Sequence, residues 1–169
     1  MPIALKWSVP ITLVAMVLAW CSEQAALFLG FDPPPQDLVR LFTDPNVLWT
    51  VKAKYAVIAV AVAPVLEELC FRMGLFRLCI WIGRRIASLM GCRMENETPC
   101  FPVLSALVSG AVFAAVHLHA VTFLPLWFLG VAFAWLYWKS GTVYSSMLCH
   151  FLFNAVNLAL CLTIGLEGV

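Results

Sequence analysis

Five long apolar stretches, separated by shorter polar segments, make up most of this chain. They cover residues 8–31, 55–82, 103–119, 122–138 and 142–165. A helix needs about 20 mostly apolar residues to cross the hydrocarbon core of a bilayer, and these stretches are close to that length or longer. None shows the short alternating segments of a transmembrane β-barrel. The pattern therefore predicts an all-α protein, a polytopic transmembrane helix bundle with about five spans.

Composition agrees with this interpretation. Hydrophobic residues make up 63% of the chain and charged residues 11%, whereas a soluble domain carries about 25% charged residues. The net charge of +1 gives no basic field for nucleic acid, so we expect a lipid bilayer and no nucleic acid as a partner. No repeat or boundary divides residues 1–169, which we expect to form a single integral membrane domain of unknown oligomeric state.

The polar segments predict local features of this bundle. Residues 32–54 begin DPPPQD, which predicts a stiff connection, and apolar positions within 38–42 indicate a short helix on the membrane surface. Glu23 and Gln24 interrupt the first span, and we expect its second half to pack against protein. The longest charged loop is predicted at residues 83–102.

Positively charged residues favour the cytoplasmic side of a membrane. In a five-span arrangement six of them fall on the N-terminal side and three on the other, which predicts a cytoplasmic N-terminus. The six are Lys6, Arg77, Arg84, Arg85, Arg93 and Lys139, and the three are Arg40, Lys52 and Lys54.

Three ionisable residues lie in the middle of the second span, at Glu67, Glu68 and Arg72. Each costs about 2.5–3.5 kcal/mol at mid-membrane unless it is paired. Glu68 and Arg72 are four residues apart and predict an ion pair on one helix face. Glu67 points about 100° away and needs another partner. Pro64 removes a backbone donor upstream, which predicts a kink and a free carbonyl beside the carboxylates.

The third span combines small residues with histidine. Ala106, Gly110 and Ala114 repeat every four residues, which favours the close approach of another helix backbone. His117 lies two turns after Gly110 and is predicted to share that protein-facing side. His119 points nearly the opposite way, and we expect it to be interfacial.

The fifth span places His150, Asn154 and Asn157 in one polar stripe. Hydrogen bonds between helices are a sufficient role for such a stripe, and a polar clamp is a sufficient role for Glu68 and Arg72. Taken together, however, a buried glutamate, histidines and an amide supply a base, its partner and donors for an oxyanion.

Three motifs in this order resemble those of the CPBP intramembrane proteases, also called the CAAX-protease or ABI family. The family pattern EExxxR stands here as Glu67 to Arg72, FxxxH as Phe113 to His117, and HxxxN as His150 to Asn154. The resemblance covers about residues 55–160. It implies a glutamic-type endopeptidase that works inside the bilayer on a membrane-anchored protein or peptide, in a bacterial inner membrane.

Residue roles follow from the resemblance. It implies that Glu67 is the general base, that His117 helps to hold and activate the catalytic water, and that His150 and Asn154 stabilise the oxyanion. The resemblance makes the other motif residues supporting ones, and we add the third member of the polar stripe to them. These supporting residues are Glu68, Arg72, Phe113 and Asn157.

Other interpretations remain open. Family members that process prenylated proteins are longer and have more spans, and a small member such as this chain could resemble the type that clips C-terminal sorting tails from exported proteins. A non-catalytic scaffold or bacteriocin-immunity-type protein would keep the same fold, and a small transporter or proton relay would show paired repeats, which are not seen. Glu67, His117 and His150 could ligate zinc, although no HExxH pair exists; we expect no cofactor apart from water.

Overall fold

The computed structural model describes residues 2–32, 34, 36–91 and 100–167, and those residues contain helices but no strand. The all-α prediction is therefore confirmed over the described chain. The α-helices are α1 Pro2–Phe28, α2 Asp37–Thr43, α3 Trp49–Val57, α4 Ala63–Glu68, α5 Arg77–Leu89, α6 Cys100–Ala115, α7 Phe123–Ser140 and α8 Val143–Glu167.

Helices α3, α4 and α5 are sections of one continuous helix over residues 49–89, called here the long helix. Two π-helical sections, Ile58–Val62 and Leu69–Phe76, join them, and the backbone stays right-handed at each junction. The second predicted span is thus extended in both directions, into the predicted connections 32–54 and 83–102. The chain carries no helix breaker between Trp49 and the proline at 64, and the long helix ends just before Gly91, whose φ is +72°.

Among the residues that the structure describes, two helices are long and apolar enough to cross a membrane, at Ile3–Phe28 and Val143–Thr163. Helix α6 is apolar but shorter, and the long helix is interrupted by the ionisable residues of its centre. The structure therefore confirms two apolar helices of spanning length, while a total of five spans stays a prediction. The orientation of the N-terminus also stays a prediction, and Arg93, which contributed to it, lies outside the described residues.

Two predictions about helix ends need correction. The third span was predicted to reach residue 119, but α6 ends at Ala115 because Leu118 adopts a left-handed φ of +54°. The second half of α1 was predicted to pack against protein, yet Glu23 and Gln24 are exposed. At 1.5 Å per residue α1 is about 40 Å long, which exceeds the roughly 30 Å hydrocarbon core and allows its polar end to lie at a membrane surface.

The connection after α1 folds back onto the bundle. The short helix predicted near residues 38–42 is present as α2, with Phe42 buried. Lys52, at the start of the long helix, is also buried and donates from Nζ to the Phe42 carbonyl oxygen at 2.9 Å. His119 Nε2 lies 3.2 Å from the Pro34 carbonyl oxygen. These contacts attach the connection to the end of the bundle where α6 is followed by α7.

Helices α6 and α7 pack backbone to backbone through two glycines. A Cβ placed on Gly130 would lie 2.6 Å from the Gly110 Cα, and one placed on Gly110 would lie 3.0 Å from the Trp127 carbonyl oxygen. Ala106 and Ala114 are buried on the same face of α6. The small-residue stripe therefore does admit another helix backbone, as the sequence predicted, and the approaching helix is α7.

We predict that Gly130→Ala lowers the free energy of unfolding by about 1–3 kcal/mol, because the added methyl overlaps backbone that cannot turn aside. Unfolding of the purified protein in detergent micelles measures this effect. Gly74→Ala is the matched control, since its Cβ meets only the Leu69 carbonyl oxygen at an ordinary 3.8 Å. Equal stability of the two variants would contradict the close packing of α6 and α7.

Candidate active site

Polar residues of the first and third motifs converge where the long helix meets α6, α7 and α8. Glu68 and Arg72 form the centre of this cluster and are both fully buried. Glu68 Oε2 lies 3.1 Å from Arg72 Nε, so the predicted ion pair within one helix is present. Arg72 Nη2 also donates to the Gly130 carbonyl oxygen of α7 at 3.2 Å, and the same guanidinium therefore joins two helices.

Three aromatic rings surround the guanidinium of Arg72. Its Cζ lies 5.0 Å from the centre of the Phe113 ring, 5.3 Å from that of Phe133 and 5.9 Å from that of Phe71. Cations are attracted to ring faces at these distances. The rings matter because Arg72 Nη1 has no hydrogen-bond partner among the residues the structure describes. Aromatic contacts thus replace part of the stabilisation that hydration gives to the charge of an exposed arginine.

His150 of α8 lies between the two neighbouring glutamates. Its Nδ1 is 3.1 Å from Glu68 Oε1, a hydrogen-bond distance, and its Nε2 is 3.7 Å from Glu67 Oε2. The ring stacks on Phe133 with centroids 4.7 Å apart and an interplanar angle of 25°. The position and plane of this imidazole are therefore fixed on one edge by a buried carboxylate and on one face by an aromatic ring.

Glu67 differs from Glu68 in its surroundings. Its side chain is 29% exposed, and its inner oxygen Oε2 has no hydrogen-bond partner within the described part of the chain. The sequence predicted that Glu67 would need a partner from another helix. The structure places His150 Nε2 of α8 at 3.7 Å from Glu67 Oε2, which is too long for a direct hydrogen bond.

His117 lies apart from this pair. It follows the end of α6, it is exposed, and its Nδ1 donates to the Phe113 carbonyl oxygen at 2.7 Å. The prediction that it shares the protein-facing side of α6 is therefore wrong, because the helix ends before residue 117. His117 and Glu67 make no direct contact in the described structure; the His117 ring instead packs against Phe113, with centroids 4.8 Å apart, and Phe113 also contacts the ring of His150.

Asn154 fastens α8 to the long helix. Its amide nitrogen donates to the Ala59 carbonyl oxygen at 2.8 Å. The backbone explains why that oxygen can accept. In an α-helix the Ala59 carbonyl would accept from the N–H of Ala63, but here that N–H donates to the Ile58 carbonyl in the π-helical pattern. Pro64, the next residue, has no N–H to donate. The free carbonyl expected upstream of the glutamates is thus present, and a side chain of the polar stripe satisfies it.

The remaining members of the predicted set have more local contacts. The amide nitrogen of Asn157 donates to the Phe153 carbonyl oxygen of its own helix at 3.1 Å, so the stripe on α8 does not act as one unit. No group of three His, Cys, Asp or Glu side chains with a metal-binding arrangement is found among the described residues. His117, one member of the alternative zinc set, makes no contact with Glu67 or His150 in the described structure.

Sequence reasoning missed several residues of the cluster. Phe133 stacks on His150, and Gly130 supplies the carbonyl that accepts from Arg72. Both belong to α7, which carries none of the three motifs. Gly130 and Phe133 lie on an apolar helix, and nothing in their spacing indicates a contact with polar residues. Only the packing of α7 against the long helix shows that they contact Arg72 and His150.

Comparison with known proteins agrees with this geometry. A family model described as "Type II CAAX prenyl endopeptidase Rce1-like" matches residues 49–156, which is well over half of the chain. The chain belongs to this Rce1-like family. The matched region begins at the first residue of α3, includes every residue of the buried cluster and agrees with the core predicted at about 55–160. No curated protein and no solved structure matches the chain.

Membership explains two further features. The Rce1-like family is membrane-embedded, which accounts for the two apolar helices of spanning length and for the many apolar side chains that the helices expose. It also places the Glu68–Arg72 ion pair in a lipid-surrounded bundle, where charged residues face the interior and pair with one another.

We predict that Glu68→Gln and Glu67→Gln differ sharply in stability, although each removes one negative charge. Glu68→Gln leaves Arg72 buried without its counter-ion, which costs about 3 kcal/mol of unfolding free energy. Glu67→Gln changes a partly exposed side chain whose inner oxygen accepts no hydrogen bond, and its cost stays below about 1 kcal/mol. Unfolding of both variants in the same detergent tests this. A loss that is equal in the two would contradict separate roles for the glutamates.

A double-mutant cycle tests the link between Asn154 and Pro64. Asn154→Ala leaves the Ala59 carbonyl oxygen without its side-chain donor, and we expect a loss of about 1–2 kcal/mol. In a Pro64→Ala background the backbone N–H returns, so the same change should cost about 1 kcal/mol less. Additive losses in the cycle would show that Pro64 does not free the carbonyl that Asn154 binds.

Proposed function

We propose that this Rce1-like protein is an intramembrane endopeptidase of the glutamic type, in which Glu67 takes a proton from the water that attacks a peptide bond. The observation that carries this proposal is the contrast between the two glutamates. Glu68 is fully buried, with one oxygen 3.1 Å from Arg72 Nε and the other 3.1 Å from His150 Nδ1, whereas the Glu67 side chain is 29% exposed and its Oε2 comes no closer than 3.7 Å to His150 Nε2.

The protonation of His150 follows from its partner. Glu68, paired with Arg72, is an ionised carboxylate and accepts hydrogen bonds only, so His150 carries a proton on Nδ1 and donates it to Glu68 Oε1. In a neutral ring Nε2 is then an acceptor. Two acceptors, Nε2 and Glu67 Oε2, face each other at 3.7 Å. A water molecule about 2.8 Å from both atoms would donate one proton to each.

In our proposal the water lies between Glu67 and His150 rather than between Glu67 and His117, because His150 Nε2 is 3.7 Å from Glu67 Oε2. The carboxylate accepts the proton as the water oxygen bonds to the carbonyl carbon of the substrate. Glu68 stabilises the imidazolium if His150 takes up positive charge during the step. Because Glu68 and His150 are buried beside an aromatic ring, the interaction between their charges is stronger than it would be in solution.

The oxyanion requires separate donors. Asn154 keeps a second amide N–H after binding the Ala59 carbonyl oxygen, and in our proposal that N–H binds the oxygen that becomes negative. His117, exposed beyond α6 on the other side of Phe113, is proposed to assist from its Nε2 side when substrate is bound. Each donor of this kind is worth roughly 2.7–4 kcal/mol of barrier in other proteases.

The substrate class follows from the surroundings of the site. A cluster enclosed by membrane helices favours a membrane-anchored protein or peptide whose cleaved bond lies near its membrane-embedded C-terminal tail. A C-terminal sorting tail on an exported protein fits that description, and a bacterial inner membrane with a cytoplasmic N-terminus is the location we propose. No cofactor is required by the mechanism beyond the attacking water.

We predict that Glu67→Gln abolishes cleavage while the protein stays folded. Removal of a general base slows proton transfer by about 10²–10⁴-fold. The experiment is co-expression of wild-type protein or the variant with candidate tail-anchored substrates from the same genome, followed by intact mass of the products. Glu23→Gln is the matched control, because it removes an exposed carboxylate on α1, far along the chain from the cluster.

The outcomes separate the candidate functions. Cleavage by wild type and by Glu23→Gln, but not by Glu67→Gln, supports the proposal, and the same activity in the presence of a strong chelator supports a mechanism without metal. Cleavage that continues at the normal rate in Glu67→Gln would overturn the role of Glu67. A partner protein that is bound by both forms but never cleaved would favour the non-catalytic scaffold.

A further inference from the structure

The last section of the long helix, α5, has a surface that the proposed peptidase activity does not use. Its sequence, RLCIWIGRRIASL, contains three arginines and no carboxylate. At 100° per residue its side chains divide into three sectors. One sector packs on the protein, a second is apolar and exposed, and a third carries the arginines together with Trp81.

The protein-facing sector packs against α6 and α7. A Cβ on Gly83 would lie 2.6 Å from the Phe101 ring, so α5 packs closely against the first turn of α6. Ile80 and Phe76 pack near Ala106, and the Phe76 ring contacts Tyr137 of α7 at 5.9 Å. Because Gly83 meets the second residue of α6, the residues after Gly83 extend past the end of that helix.

The apolar sector is exposed in spite of its character. Leu89 is 87% exposed and Met90, just after the helix, is 74% exposed. The sector consists of Leu78, Ile82, Ile86 and Leu89. A contiguous apolar strip beside charged residues is unfavourable in water and is typical of helices that lie at a membrane surface.

The basic sector gives this surface its chemistry. Arg77 and Arg85 are exposed, and the Arg85 guanidinium lies 5.5 Å from the centre of the Trp81 ring. Arg84 belongs to the same sector by its position on the helix. Tryptophan and arginine occur together at the level of lipid headgroups, where the ring lies between acyl chains and phosphates. Helix α5 itself carries no carboxylate, and its exposed arginines are complementary to anionic headgroups.

Helix length sets the depth of α5. Residues 55–76 separate Lys54 from Arg77 and, at 1.5 Å per residue, are about 33 Å long, close to the roughly 30 Å thickness of the hydrocarbon core. No exposed charge other than the partly exposed Glu67 lies in this interval. The separation of Lys54 and Arg77 thus matches the thickness of the hydrocarbon core, which places α5 at the edge of that core.

We propose that α5 is a binding surface for anionic phospholipid, with Arg77 and Arg85 on the headgroup phosphates and the apolar sector among the upper acyl chains. The ligand is a lipid of the bilayer and not a free phosphate ion, because an ion would leave the apolar sector uncovered. Bound lipid would hold the end of the long helix, and with it the register of Glu67 and Glu68, at one depth in the membrane.

The test uses the full-length protein, delipidated in neutral detergent and titrated with phosphatidylglycerol or phosphatidylcholine, with bound lipid counted by native mass spectrometry. We expect wild type to bind phosphatidylglycerol more tightly than phosphatidylcholine. Arg77→Gln with Arg85→Gln should weaken phosphatidylglycerol binding by about fivefold for each arginine removed. Phosphatidylcholine binding should hardly change.

Two matched variants make the result specific. Lys6→Gln with Lys139→Gln removes two exposed charges from α1 and α7, and we expect less than about a threefold effect. Arg77→Lys with Arg85→Lys keeps both charges and should keep the binding. A melting curve of each variant confirms that it is folded, since all four residues are exposed.

Three results would overturn the proposal. The first is an equal loss of phosphatidylglycerol binding in Arg77→Gln/Arg85→Gln and in Lys6→Gln/Lys139→Gln, which would show that only the overall positive charge matters. The second is no loss of binding in Arg77→Gln/Arg85→Gln. The third is displacement of bound lipid by inorganic phosphate, which would show a simple anion site. Peptidase activity is measured separately, so failure of the lipid surface leaves the proposed role of Glu67 intact.

Discussion

Burial of an ion pair between the helices is the constraint from which the rest of the cluster follows. Arg72 and Glu68 are both inaccessible to solvent, and removing such charges from water costs several kcal/mol per ion unless nearby groups compensate. The protein compensates from every side: Gly130 offers a carbonyl oxygen, three rings surround the guanidinium, and His150 donates to the carboxylate. The contacts that stabilise the buried charges therefore also fix the positions of the motif residues.

The backbone around the pair is adapted to the same end. The two π-helical sections flank α4, which carries Glu67 and Glu68, and such insertions within an α-helix occur frequently at functional sites. Pro64 lies in α4 and leaves the Ala59 carbonyl oxygen to Asn154. On the opposite side of the cluster, Gly110 and Gly130 bring α6 and α7 close enough for a backbone oxygen of α7 to reach Arg72. Main-chain geometry and side-chain charge are therefore parts of one arrangement.

Much of this arrangement could be predicted from the sequence, because its strongest signals are local. Spacing of four residues predicts the pairing of Glu68 with Arg72, small residues predict a close helix contact, and Pro64 predicts a free carbonyl. Contacts between helices could not be predicted, since spacing does not say which helix is adjacent. The partner of Glu67 was expected on α6 and is His150 on α8. Phe133 had no recognisable signal, and His117 was misplaced because nothing in the sequence marks Ala115 as the last residue of α6.

The central claim is that one imidazole bridges two neighbouring carboxylates with different tasks. The most direct measurement is the ¹⁵N NMR spectrum of the protein labelled at histidine and reconstituted in bilayers, where only three imidazoles contribute. The account predicts a His150 ring with a strongly hydrogen-bonded Nδ1–H that changes in Glu68→Gln, and an Nε2 signal that changes in Glu67→Gln, while His119 is unaffected by either. A His150 ring whose two nitrogen signals are the same in wild type and in both variants would contradict it.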